Sequence, residues 1–244
     1  LDGEDGRPVV LLSNSLGTTL GMWEPQMAAL GNRFRVLRYD SRGHGGSGAP
    51  SGPYTIERLG RDALALLEAL GLERVRFTGV SKGGMVGMWL GANAGHRLER
   101  LVIANSAAQI GAPETWNERI ATVRAKGMAA IVPGVIERWF TARFQKAQPD
   151  VVAGIAAMLE ATPVEGYAAC CAAVRDQDQR EAIRAIGVPT LVIGGTHDLA
   201  TPFEKAQEIA TAIPGARLVE LDAAHLSNIE QAEAFDRHLL DFFG

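Results

Sequence analysis

Ser81 lies in Gly79-Val80-Ser81-Lys82-Gly83, between the apolar run Val75 to Thr78 and the helix-like stretch Gly84 to Ala94. A serine hydroxyl is a weak nucleophile until a base takes its proton. The run spells strand, sharp turn and helix start, with glycines wherever chains must approach closely, which is the pattern of a nucleophile elbow. Such a turn exposes the hydroxyl at a helix N-terminus, where backbone N–H groups point towards developing negative charge. The five residues alone are a weak signal; the strand before and the helix after carry the reading. An orienting acid and a base must follow downstream. Asp198 ends Gly194-Gly195-Thr196-His197-Asp198 after the β-like run Thr190 to Ile193, and His225 ends Asp222-Ala223-Ala224-His225 after the strand-like Arg217 to Leu221. Ser81, Asp198 and His225 thus stand at strand ends, as nucleophile, orienting acid and base.

The rival residues have blander explanations. His44, in the glycine-rich Asp40-Ser41-Arg42-Gly43-His44-Gly45 after Val36 to Tyr39, reads as a brace for a loop near the site, and His96 and His238 read as solvent-facing. His197 adjoins Asp198, so acid and base could not reach each other properly. Asp222 is the second choice of acid, expected rather to cap its loop, and Asp176 and Asp178 are more remote. Adjacent Cys170 and Cys171 would strain a mutual disulfide and read as reduced packing residues, and no metal-ligand spacing occurs.

With 244 residues, 47% of them hydrophobic, the chain can bury a sizeable core. Strand and helix signals alternate as in a mostly parallel α/β sheet flanked by helices. Helical patterns cover Met22 to Leu30, Ile56 to Leu70, Gly84 to Ala94, Phe203 to Ile213 and Ile229 to Phe243. From about Ala107 to Ile186 strand signals vanish, which predicts a helical cap over residues 107–186 inserted between core segments 1–106 and 187–244. A net charge of −4 supplies no basic field for nucleic acid. The sequence shows no membrane-length apolar run and no signal-like start, so a cytoplasmic location is expected.

Taken together, the chain resembles the α/β-hydrolases, in which the order is Ser, Asp, His. Within them it is similar along its whole length to the 3-oxoadipate enol-lactonases of aromatic catabolism. The stretches that carry the likeness are Leu12-Ser13-Asn14-Ser15-Leu16-Gly17-Thr18, Leu37 to Gly45, Gly52-Pro53-Tyr54-Thr55-Ile56, Arg138-Trp139-Phe140-Thr141, Gly166-Tyr167-Ala168-Ala169 and Ala224 to Glu230. The Ser-Asn-Ser-Leu-Gly loop, where a His-Gly start is usual, and His-Leu-Ser-Asn-Ile discriminate most. The resemblance implies backbone N–H groups of Ser15 and Lys82 as the oxyanion hole, a small lactone or ester substrate and no cofactor. A lactone with a side-chain carboxylate needs a cation, for which the cap offers Arg119, Arg124, Arg138 and Arg143. Arg138 beside Trp139 is the first choice, and Trp116 forms a pocket wall or packs in the core. Other readings of the same triad are a carboxylesterase or lactonase of different specificity, perhydrolysis as a side reaction, and a non-catalytic ligand receptor.

Two departures stand out. The family begins with a β-hairpin ahead of the point where Leu1 to Gly6 leads almost straight into a core strand, which could expose a sheet edge to association. Lys82 replaces an apolar residue after the nucleophile. Its cation could attract the substrate carboxylate, it could disfavour an imidazolium on His225, or its stem could pack while the amine reaches water.

Overall fold

The computed structural model describes residues 1–244. Six strands, β1 (Val9–Ser13), β2 (Arg35–Arg38), β3 (Val75–Val80), β4 (Leu98–Ala104), β5 (Thr190–Gly195) and β6 (Arg217–Leu221), form one sheet. Their order is β2-β1-β3-β4-β5-β6, and every neighbouring pair is parallel. Strands buried on both faces read as continuous apolar runs, as the wholly buried β1 and β5 do. Five of the six strands follow the sequence patterns, while β4 is masked by Glu99 and Arg100, which interrupt its apolar run; Glu99 pairs there with Arg76 of β3.

Helices α1 (Glu24–Gly31), α2 (Ile56–Ala69) and α3 (Lys82–Asn93) follow β1, β2 and β3. Thr55 caps α2 by accepting the Arg58 N–H at 3.1 Å, and Ile56, Leu59, Ala63 and Leu67 form its buried stripe. Between β4 and β5 the chain is helical: α4 (Pro113–Lys126), α5 (Val132–Trp139), α6 (Ala142–Ala147), α7 (Pro149–Glu160) and α8 (Val164–Asp176). One apolar cluster of 62 buried residues runs from the sheet into this insertion, through Val123, Val135, Leu159 and Tyr167. Beyond β5 come α9 (Phe203–Ala212), α10 (Ser227–Glu230) and α11 (Ala232–Phe243).

Two expectations are corrected here. The single helix read over Ile229 to Phe243 is broken at Gln231 (φ −126°, ψ 47°), because the preceding residue, Glu230, turns its carboxylate to the backbone N–H groups of Ala224 and Thr141. The outer edge of β2 is not left bare: Asp2 forms an antiparallel bridge with Val36, with N–H to O distances of 2.9 and 2.7 Å. No helix is long and apolar enough to cross a membrane.

The approach of α3 to the sheet depends on missing side chains. A Cβ on Gly83 would stand 2.1 Å from the Ser13 carbonyl oxygen, and one on Gly79 would stand 2.1 Å from the Gly83 carbonyl oxygen. Backbone on both sides leaves no flexible atom to yield. Gly83→Ala is therefore expected to lower stability by about 1–3 kcal/mol through overpacking. Urea unfolding of the variant measures this, and a midpoint equal to that of the parent would refute the close-approach account.

Candidate active site

The turn from β3 into α3 places Ser81 at φ 57°, ψ −117°, a left-handed conformation that costs a non-glycine residue about 1–3 kcal/mol. Neighbouring strands hold it there. The Ser81 N–H donates to the Ala104 carbonyl at 2.9 Å, and its carbonyl accepts the Ser106 hydroxyl at 2.8 Å. Lys82 opens α3, so its N–H has no acceptor within the helix.

Asp198 and His225 come together as expected: His225 Nδ1 lies 2.8 Å from Asp198 Oδ2, and both side chains are buried. Asp198 Oδ1 accepts the N–H groups of Ala200 and Thr201, each at 2.8 Å, while Oδ2 also accepts the Thr201 hydroxyl at 2.7 Å and Asn105 Nδ2 at 3.1 Å. Burial alone would raise this carboxyl's pKa. The charge of His225 and its hydrogen bond, with those from Thr201, outweigh burial and hold the pKa below its ordinary value. Ser81 and His225 line one cavity of about 280 Å³ without a hydrogen bond between them.

The rival residues pair among themselves at the surface. His197 Nε2 is 2.8 Å from Asp222 Oδ1, both more than half exposed, and Arg143 holds the other Asp222 oxygen at 3.1 Å. Asp222 therefore serves a surface ion pair and not the loop cap expected of it. Asp176 pairs with Arg175, and Asp178 with Arg180. Both cysteines are unpaired and buried in α8, where burial pushes the Cys171 thiol up to about 12.

The loop after β1 corrects the oxyanion assignment. Ser15 does line the cavity, but its N–H is turned to the Met22 sulfur at 3.3 Å, which also accepts the Thr18 hydroxyl at 3.0 Å. Met22 is buried under the loop and supplies an acceptor that no residue pattern announced. Leu16, the next residue, also lines the cavity, and its N–H has no hydrogen-bond partner. The rest of the loop is tied down: Asn14 Nδ2 donates to the Tyr39 carbonyl at 2.7 Å, Asn14 Oδ1 accepts Trp23 Nε1 at 2.9 Å, and Gly17 N–H donates to His44 Nε2 at 2.9 Å. His44 is thus the loop brace expected of it. Accepting from Gly17 requires a neutral ring, and burial, helped by the charge of Lys82, pushes its pKa down to about 3.

Two of the three roles open to Lys82 are not met. Its side chain is buried, its Nζ has no hydrogen-bond partner, and it does not line the cavity, so the amine neither reaches water nor meets a ligand there. Burial lowers its pKa, and its charge acts on His44 and Cys170.

The insertion supplies the remaining walls. Trp116, Arg119, Arg138 and Trp139 all line the cavity with Ser81, whereas Arg124 and Arg143 are exposed and paired with Glu165 and Asp222. Trp116, open to either a wall or a core role, does both: it packs against the core and carries the Arg119 guanidinium 4.9 Å above its ring. Neither Arg119 nor Arg138 has an ion-pair partner, and burial and the neighbouring charge of Arg119 lower the pKa of Arg138. Tyr167 joins them on the cavity wall, the pKa of its hydroxyl pushed up by burial.

Three supporting residues escaped the sequence reading. Asn105 (φ 44°), at the end of the masked strand β4, donates to both Asp198 and the Ala224 carbonyl and accepts the Ser227 hydroxyl at 2.5 Å. Ser227 stands in the discriminating His-Leu-Ser-Asn-Ile run, which was the one signal available. Glu230 joins the histidine loop to the Thr141 cap of α6, while Leu226 N–H donates to the Trp139 carbonyl at 3.1 Å.

The sequence model of the alpha/beta hydrolase fold matches residues 8–232. The chain is 39% identical over 234 residues to 3-oxoadipate enol-lactonase 2 of Acinetobacter baylyi, covering 96% of this chain and 88% of that protein. The crystal structure of the enol-lactonase from Burkholderia xenovorans superposes with a TM-score of 0.98 at 50% identity, over 99% of this chain and 94% of that one. A malate-bound thermophilic esterase from Thermogutta terrifontis superposes with a TM-score of 0.93 at 29% identity, over 100% and 91% of the two chains.

Two outcomes are expected from these contacts. Asn105→Asp places a second carboxylate beside Asp198 and favours the protonated pair, so the acid limb of the rate–pH profile should move to higher pH. A pH profile unchanged in position would deny Asn105 that role. His44 titrates at 6.5 when unfolded and at about 3 when folded, so the stability it contributes is present above 6.5 and is lost as pH falls towards 3. The slope of that loss is at most about 1.4 kcal/mol per pH unit. His44→Gln, which keeps an acceptor for Gly17, should flatten the acid limb of stability between about pH 6.5 and pH 4 in urea titrations. The same slope in variant and parent would assign that limb to other groups.

Proposed function

The chain belongs to the alpha/beta hydrolase fold family and is a hydrolase, and we propose that it opens 3-oxoadipate enol-lactone to 3-oxoadipate through an acyl-enzyme on Ser81, in the aromatic catabolism of protocatechuate or catechol. His225, oriented by Asp198, takes the Ser81 proton as Oγ attacks the lactone carbonyl. The N–H groups of Lys82 and Leu16 receive the oxyanion, each donor being worth about a hundred- to a thousandfold in rate. Ring opening expels an enolate, a good leaving group that takes the proton from His225 and relaxes to the ketone. Water deprotonated by His225 then attacks the acyl carbon, Oγ leaves and recovers the proton, and 3-oxoadipate is released.

The observation that carries this reading is the pair Arg119 and Arg138: two guanidinium groups without acid partners on the cavity that Ser81 and His225 share. Both are half-buried and unpaired, and a substrate carboxylate supplies the missing partner. Trp116 and Trp139 shield it from water, and the Tyr167 hydroxyl adds a third donor. The Thermogutta terrifontis esterase, of the same fold, is malate bound, and malate is itself a dicarboxylate, which supports an anionic ligand class.

The reading is tested by hydrolysis of 3-oxoadipate enol-lactone beside p-nitrophenyl acetate. Ser81→Ala should lose about 10⁴-fold or more in kcat on both substrates. Arg138→Ala should raise KM for the anionic lactone about 10- to 100-fold. A parent enzyme that prefers the neutral ester would make it an esterase of other specificity.

A further inference from the structure

Lactone opening differs from the cleavage of an acyclic ester in one respect: the leaving oxygen stays tethered to the acyl group. On the reading above, attack by Ser81 leaves a linear six-carbon chain with one end esterified to Oγ and the other end a carboxylate. Nothing departs at that stage, so the cavity has to hold both ends of the chain while water enters. Ser81 and His225 come from the core and Arg119, Arg138 and Tyr167 from the helical insertion, and all line one cavity of about 280 Å³. The second half of the reaction is thus the hydrolysis of an ω-carboxyacyl serine, whatever compound loaded it.

An acyclic ester reaches an equivalent acyl-enzyme only if its alcohol can leave. Leu199, Ala200 and Thr201 line the cavity beside His225, with the Thr201 hydroxyl 3.3 Å from His225 Nδ1. Leu199 is 69% exposed, more than any other large apolar side chain. The cavity therefore meets solvent on the segment next to the base that protonates the leaving group. A tethered enolate makes no use of this opening, but a free alcohol does.

Resting on the enol-lactonase reading of this site, we infer that the protein also hydrolyses linear monoesters of short dicarboxylic acids, with the free carboxylate on Arg119 and Arg138 and the alcohol leaving past Leu199. The steps balance without a co-reactant. The Oγ–C bond forms, the C–O bond to the alcohol breaks, and the Ser81 proton passes through His225 to the departing oxygen. Water then forms the second C–O bond, Oγ leaves with the returned proton, and the products are the alcohol and the dicarboxylate.

Monophenyl adipate beside phenyl hexanoate tests this, the second having the same acyl length with a methyl group in place of the carboxylate; released phenol is followed, and 3-oxoadipate enol-lactone is run alongside. The expected result is kcat/KM about 10- to 100-fold higher for the adipate ester. The preference should fall towards one in Arg138→Gln and be smaller for monophenyl succinate, whose acyl chain is two carbons shorter than the six-carbon chain of the proposed substrate. Equal rates on the two phenyl esters, with the lactone opened normally, overturn the inference and leave the enol-lactonase reading standing. Preference for the adipate ester without lactone opening overturns that reading and keeps the carboxyacyl site. No preference and no lactone opening overturn both.

Discussion

The carboxylate of Asp198 accepts five hydrogen bonds, and the geometry of the site depends on that one buried charge being satisfied. An uncompensated carboxylate inside a protein costs several kcal/mol, so whatever supplies its donors is fixed with it. Those donors come from the ends of three adjacent strands: Asn105 after β4, Ala200 and Thr201 after β5, and His225 after β6. Parallel strands bring their carboxyl ends to one side, and the order of the sheet sets Ser81, at the end of β3, next to the same row. The imidazole is left with Nδ1 committed to Asp198 and a second nitrogen for the cavity it lines with Ser81.

The helical insertion is fastened to the same loops. Glu230 binds both Ala224, beside the histidine, and Thr141, at the start of α6, while Leu226 is tied to Trp139. On the far side, Gly43 and Gly166 meet backbone to backbone, so the glycine-rich loop containing His44 abuts α8. The helices that carry Arg138 and Tyr167 are in this way registered against the loops that carry His225 and His44. Positioning of that kind matters because small misplacements of a reacting group or of a bound substrate are expensive in rate. A single buried apolar cluster through sheet and insertion gives the same registration a hydrophobic basis.

Much of this was legible in the residues, for identifiable reasons. Strands buried on both faces leave uninterrupted apolar runs, helices leave stripes, and an elbow needs glycine where backbones touch, so β1, β3, β5, α2 and the Ser81 turn declared themselves. Asp198 and His225 were legible because each follows a strand-like run and stands in the required chain order. What failed was local and depended on tertiary contacts. Charges within β4 hid the strand and with it Asn105. The Met22 sulfur, from a turn seven residues on, takes the Ser15 N–H and shifts the free donor to Leu16. Which arginines face inward could not be read from spacing alone, since Arg124 and Arg143 find surface carboxylates in Glu165 and Asp222, whose side chains lie far along the chain.

The charge balance of the cavity runs against that of the molecule. The chain carries a net charge of −4, yet no carboxylate lines the cavity, while two guanidinium groups do. The N-terminus of α3 adds its partial positive charge next to Ser81, and the carboxylate of Asp198 is committed to His225 and its other donors. In a confined site with apolar walls such a field is poorly screened, so it discriminates between ligands more sharply than the same charges would at the surface. A neutral ester gains only apolar contact there. An anionic one would also pair with the two half-buried arginines, and on the proposed mechanism an oxyanion formed at Ser81 would meet the same field as it develops. On the proposed function, ground-state recognition of the carboxylate and stabilisation of the transition state would thus draw on one arrangement of positive charge, held open by the absence of acids from the cavity wall.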